Sequence, residues 1–144
     1  MKRCGAYQKN GHCRIHSTNT TVSGIPRISV PGYDVDLTSD ITVATTLRIC
    51  LANCRTGYPD LTDFKSDSNG MLDDYGVTSW KEFVKNRKSI TIDLLDDILV
   101  FRPKSNQGIH GGYAGIPELI LRLPADSSPE QIGQAFRECF DNSD

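Results

Sequence analysis

The sequence predicts a single α+β domain over residues 1–144, in which a mainly antiparallel sheet carries helices packed on one face. Three observations predict it. Ser89-Ile90-Thr91-Ile92-Asp93-Leu94 alternates polar and apolar side chains, and after Leu95-Asp96 a second apolar run, Asp97 to Phe101, follows at hairpin distance. Ile132, Ala135, Phe136, Cys139 and Phe140 recur at three- and four-residue steps, forming one helical stripe suited to covering that sheet. A length of 144 residues, 38% of them hydrophobic, supports one core and would leave each of two domains short.

Residues 1–32 are rich in Ser, Thr, Asn, Gly and Pro and are the least readable part. Short strands are expected there at Cys13 to Ser17 and Arg27 to Val30, the second ending in the turn signal Pro31-Gly32. Tyr33-Asp34-Val35-Asp36 alternates. Ser39 or Asp40 can cap a helix running from about Ile41 to Asn53 and ending near Gly57, with Val43, Leu47, Cys50, Leu51 and Cys54 at helical spacing. Turn residues fill Gly57 to Asp74, which reads as an acidic loop, and loops of that length in compact domains commonly carry function.

Ser79-Trp80-Lys81-Glu82 has capping-box spacing and opens a short helix to about Asn86. The hairpin follows. A Gly-rich connection, Gly108 to Gly115, then leads to a third strand, Glu118 to Leu123, framed by Pro117 and Pro124. Ser128 caps the final helix, Pro129 suits its first turn and Gln131 completes a second capping box.

A formal net charge of −2 argues against direct binding of nucleic acid, which generally requires a strongly basic face. No run of about 18 apolar residues is present to span a membrane. Residues 4–24 are polar and hold no apolar stretch suited to a signal peptide. Five cysteines, an odd set without that signal, point to reduced thiols in the cytoplasm and not to a disulfide framework.

Several constellations were weighed for chemistry. Cys4, His12, Cys13, His16, Cys50 and Cys54 include enough soft ligands for zinc, but their spacing lacks the tight knuckles of structural sites, so no metal is expected. Cys50 and Cys54, four apart on a helix, read as core-filling thiols. A small hydrolytic enzyme, such as a nuclease, could use His12, His16 or His110 as acid and base, yet no nucleophile is paired with them by a recognisable motif. The Gly108–Gly115 stretch lacks the following helix that a phosphate loop needs. No catalytic residue and no cofactor is therefore assigned.

Charge is unevenly spread. Lys81, Lys85, Arg87 and Lys88 cluster near the short helix, which reads most simply as a solvated face. The acidic segment sets Asp60, Asp63, Asp67, Asp73 and Asp74 among Tyr58, Phe64 and Tyr75, an arrangement that can attract a basic partner such as a nuclease groove.

The carboxy-terminal half carries a further signal in Gly76-Val77-Thr78-Ser79-Trp80-Lys81-Glu82-Phe83, Lys88-Ser89-Ile90-Thr91-Ile92, the run from Ile98 to Pro103, Leu121-Arg122-Leu123-Pro124 and Ile132-Gly133-Gln134-Ala135. Over residues 75–140 this pattern resembles one family of contact-dependent growth inhibition immunity proteins, the CdiI type. The resemblance implies a non-enzymatic cytoplasmic protein that binds the carboxy-terminal toxin domain of its cognate CdiA effector, expected to be a nuclease, and neutralises it. Trp80, Phe83, Ile90, Ile92, Pro124, Gly133 and Ala135 are then framework residues. Asp60, Asp63, Asp67, Asp73, Asp74 and Tyr75 are the expected toxin contacts.

Overall fold

The computed structural model describes the backbone of residues 1–60 and 64–144, and the side chains of residues 1–60 and 69–144. Strands β1 (Lys2–Lys9) and β2 (His12–Thr20) form a hairpin with Lys9 opposite His12. Its two-residue turn, Asn10-Gly11, runs through left-handed backbone at both positions (φ 53° and 80°), the geometry that matches the twist of paired strands. β3 (Pro26–Ile28) and β4 (Tyr33–Val35) both lie against β2, and α1 (Asp40–Ala52) follows. Next come α2 (Phe64–Asp74), α3 (Trp80–Val84) and the hairpin of β5 (Lys88–Leu95) and β6 (Ile98–Asn106). A single turn, α4 (Gly108–Gly111), leads to β7 (Tyr113–Gly115), a 3-10 turn (Pro117–Leu119), β8 (Leu121–Pro124) and α5 (Pro129–Asp141). The sheet order is β3-β2-β1-β5-β6-β7, with β4 also on β2 and β8 also on β6, and these pairings are antiparallel.

The least readable segment is thus largely strand. β1 sits at the centre of the sheet although Lys, Arg, Gly, Ala and Gln favour strands poorly, because it gains pairing partners on both sides. Residues 64–74 of the expected acidic loop are helical, and Gly76 at φ 66° turns the chain out of that helix. The expected third strand is split, since Pro117 starts a 3-10 turn and pairing begins only at Leu121. The capping box at Ser128 and Gln131 forms completely. At Ser79 only half of it forms: Ser79 accepts from the Glu82 amide, while the Glu82 carboxylate accepts from Thr78.

Alternation separates the two faces of the sheet. Cys4, Ala6, Ile15, Ile90, Ile92 and Phe101 point to one face and are buried against Val43, Leu47 and Cys50 of α1 and Ile132, Phe136 and Cys139 of α5. Each large side chain removed from water there contributes about 1.5–3 kcal/mol. These are the helices expected over the sheet. Where they meet, a β-carbon on Gly133 would stand 2.9 Å from the Asp40 α-carbon, and Arg137 bonds the Asp40 carboxylate and, at 3.2 Å, the Leu37 carbonyl. The opposite face is covered in part by Met71 and Leu72 of α2 and Phe83 of α3, which pack with Tyr7, Ile28, Tyr75, Val77 and Tyr113.

Candidate functional site

The second face holds a polar cleft of about 580 Å³ where the β1–β2 turn, β2, β4 and the carboxyl end of α2 converge. Lys9, Asn10 and His12 come from the hairpin turn, Arg14 from β2, Asp34 from β4, Asp73 to Gly76 from the end of α2, and Arg87 from the segment before β5. Arg14 organises this wall. Its Nε donates to Asp34 at 2.7 Å, and one terminal nitrogen lies 2.9 Å from an Asp74 carboxylate oxygen and also bonds the Asp74 carbonyl. The other Asp74 oxygen accepts the Gly32 amide at 3.0 Å, so one carboxylate joins α2, β2 and the turn before β4.

Beneath the wall lies His16, which is wholly buried. The Ser29 carbonyl, 2.9 Å away, can only accept, so His16 Nδ1 carries the hydrogen and Nε2 accepts from the Tyr75 hydroxyl at 2.7 Å. Burial holds the His16 imidazole below its ordinary range, with Arg14 acting in the same direction and the Ser29 carbonyl and Asp74 opposing. His16 is therefore neutral at pH 7. A β-carbon on Gly32 would come within 2.5 Å of its ring, so only glycine fits that approach.

Aromatic rings continue inward. Tyr7 makes edge contacts with Tyr75, Phe83, Tyr113 and His16, and Phe83 meets both Tyr75 and Trp80. The Arg87 guanidinium stacks over Phe83 at 4.5 Å and Tyr75 at 4.8 Å and donates to the Phe83 carbonyl. The charge cluster with Lys81, Lys85 and Lys88 predicts a solvated side chain, yet Arg87 is 8% exposed, and burial pushes its pKa down. Burial likewise holds the Tyr75 phenol well above its ordinary range. This layer forms the floor of the cleft.

The sequence-predicted residues divide by role. Asp73, Asp74 and Tyr75 line the cleft; Asp73 is exposed, while Asp74 and Tyr75 are committed to internal hydrogen bonds. Asp60 lies elsewhere, accepting from the Ser23 amide at 3.2 Å and the Ser23 hydroxyl at 2.6 Å. Asp63 and the side chain of Asp67 fall outside the described residues. Asp34, with 79% of its side chain exposed, also lines the cleft and is not identifiable by sequence, because its neighbours come from β2 and α2. Of the histidines, His12 lines the cleft, His16 has both ring nitrogens engaged, and His110 lies in α4 and not in the cleft.

All five cysteines are free thiols, and no group of three or more candidate metal ligands occurs among the described residues. No described helix is long and apolar enough to cross a membrane.

Comparison with known proteins adds three findings. The model of the family described as CDI immunity protein matches residues 20–143. A protein of unknown function from Neisseria meningitidis superposes with a TM-score of 0.76 at 20% identity, covering 99% of this chain and 95% of that one. A chain of the CdiA-CT/CdiI toxin and immunity complex from Yersinia pseudotuberculosis superposes with a TM-score of 0.78 at 14% identity, covering 99% and 97%. At these identities the two structures establish a shared fold. A search of curated proteins found no match.

Proposed function

The chain belongs to the CDI immunity protein family, and on that premise we propose that it binds the carboxy-terminal toxin domain of a cognate CdiA effector in the cytoplasm and neutralises it by occupying its surface, without turnover. The observation that carries this reading is the family match across residues 20–143, and the structure of a toxin and immunity complex with the same fold supports it.

The contact surface we infer is the rim of the cleft that bears Asp34 and Asp73. Asp73 and Asp34 are exposed there, Asp34 on β4, which pairs with β2, and Asp73 at the end of α2, whose Met71 and Leu72 pack with the aromatic residues beneath. The cleft sets Asp34, Asp73 and Asp74 among Lys9, Arg14 and Arg87, and the exposed carboxylates of Asp34 and Asp73 are the groups that can pair with cations of a basic groove, such as that of a nuclease toxin.

The test is co-expression with the adjacent toxin domain, followed by co-purification, a growth assay and a nuclease assay on the isolated toxin. A stable complex, restored growth and suppressed nucleic-acid cleavage are expected. Failure to form the complex or restore growth would sink the immunity reading. Rescue from a toxin that leaves DNA and RNA intact would remove only the nuclease assignment.

A further inference from the structure

The main core reaches the surface at the end of the sheet away from the β1–β2 turn. Leu94 pairs with Lys2 of β1 on one side and with Leu99 of β6 on the other, and α1 sets Leu47 and Leu51 against this row. Leu47 is wholly buried and Leu51 and Leu99 nearly so, whereas Leu94 is only partly covered. Between them lies an apolar pocket of about 190 Å³, open to solvent. Two exposed cations stand at its lip, Lys2 from β1 and Arg48 from α1, and no acidic residue lines it among the described residues. Neither cation is in an ion pair among the described residues. Arg48 Nη2 donates to the Ser127 carbonyl at 2.8 Å, which holds the guanidinium in place and leaves its charge uncompensated.

We propose that this pocket binds a medium-chain carboxylate, its alkyl tail among the four leucines and its carboxylate against Lys2 and Arg48. Size sets the tail. A dry cavity of about 150 Å³ takes a six-carbon ring, so at the same filling this pocket takes a tail of about seven or eight carbons. Each CH2 moved out of water tightens binding by up to about fourfold.

Charge sets the head. The leucine side chains offer no hydrogen bond, so the polar end of a ligand stays at the lip, where a carboxylate can accept from the Lys2 ammonium and from the Arg48 N–H groups that Ser127 does not use. Because both cations are exposed, the preference for an anion over a neutral head is several-fold and is screened by salt. The pocket opens on the α1 side of the sheet and the polar cleft on the other, so the assignment stands apart from the immunity reading.

The experiment follows the leucine methyl resonances of the full chain during titration with butanoate, hexanoate, octanoate and dodecanoate, and with neutral 1-hexanol, at matched ionic strength. Saturable shifts centred on Leu47, Leu51, Leu94 and Leu99 are expected. Affinity should rise about two- to fourfold per methylene up to octanoate and level off at dodecanoate, whose tail exceeds the pocket. Hexanoate should bind several-fold tighter than 1-hexanol, a margin that shrinks in high salt and vanishes in Lys2→Gln/Arg48→Gln. Ala52→Leu, which fills the pocket from an exposed position on α1, should abolish the shifts while circular dichroism and the thermal midpoint stay native. The absence of saturable shifts would overturn the proposal, as would shifts centred on other residues, indifference to tail length, or equal binding of 1-hexanol. Tighter binding of the peptide acetyl-Leu-Glu-amide than of octanoate would also overturn it, making the pocket a socket for a protein side chain.

Discussion

The Tyr75 hydroxyl donates to His16 Nε2 at 2.7 Å, joining the turn after α2 to the second strand of the sheet. His16 is wholly buried, so its Nε2 has no bulk water to replace the hydroxyl. Tyr75→Phe retains the ring and its contacts with Tyr7 and Phe83 but leaves Nε2 without a donor. A loss of about 1–3 kcal/mol in urea-derived stability is expected. An unchanged midpoint would show that another donor reaches His16.

The same histidine sets a pH dependence. Its folded-state pKa lies below 6.5, so below that value the unfolded chain takes up a proton that the folded chain excludes. Stability is therefore complete above about pH 6.5 and declines as pH falls toward the folded value, by up to about 1.4 kcal/mol per unit. Asp93, whose folded pKa is held below 3.8, loses its contribution only in stronger acid. Denaturation of wild type and His16→Gln between pH 7 and pH 5 checks the assignment, the variant being expected to show a flatter profile.

Gly133 should resist any larger residue. Its missing β-carbon lets α5 approach the start of α1, where Asp40 presents both backbone and carboxylate. Gly133→Ala should cost about 1–3 kcal/mol, as overpacking does, despite alanine's higher helix propensity. Thermal denaturation gives the answer, and a stabilised variant would mean that the two helices can separate without penalty.

Asp93 is buried between Arg3, at 2.5 and 2.8 Å, and Arg102, at 2.9 Å. Asp93→Asn leaves two guanidinium groups without their counter-ion. Both arginines are about one third exposed and keep water, so the cost should sit near the lower end for a broken buried pair, about 3 kcal/mol. Chemical denaturation at pH 7 measures it.

On the cleft rim, Asp34→Asn and Asp73→Asn combined should leave the thermal midpoint nearly unchanged, because both carboxylates are on the surface. Toxin association should slow and lose part of its salt dependence, as read by stopped-flow or surface binding. Unaltered association would place the contact elsewhere. Asp74→Asn should instead reduce stability, since Asp74 joins Arg14 to the Gly32 amide.

Much of the framework could be read because its signals are local. The capping box at Ser128, the α5 stripe and the β5 alternation each lie within one element and need no partner to be recognised. The Asn10-Gly11 turn was an equally local signal for the β1–β2 hairpin, hidden by the polar composition around it. The end of α2 could not be read in this way, because its Gly and Ser residues and its aspartates weaken helix propensity, whereas Met71 and Leu72 bury against Tyr7 and Phe83 from distant segments.

By itself, then, the sequence determined the α+β class, the sheet hairpin and the two long helices, all consequences of periodicity and short-range spacing, while its motifs over residues 75–140 carried the resemblance to an immunity family. Only the tertiary structure decided which acidic residues are available to a partner. Asp73 and Asp34 remain exposed on the rim, Asp74 is drawn into Arg14 and Gly32, and Tyr75 turns inward to His16. The physical reason is that a carboxylate's role depends on the donors around it, and those of Asp74 come from Arg14 of β2 and Gly32 of the turn before β4, 60 and 42 residues away, which spacing along the chain does not reveal.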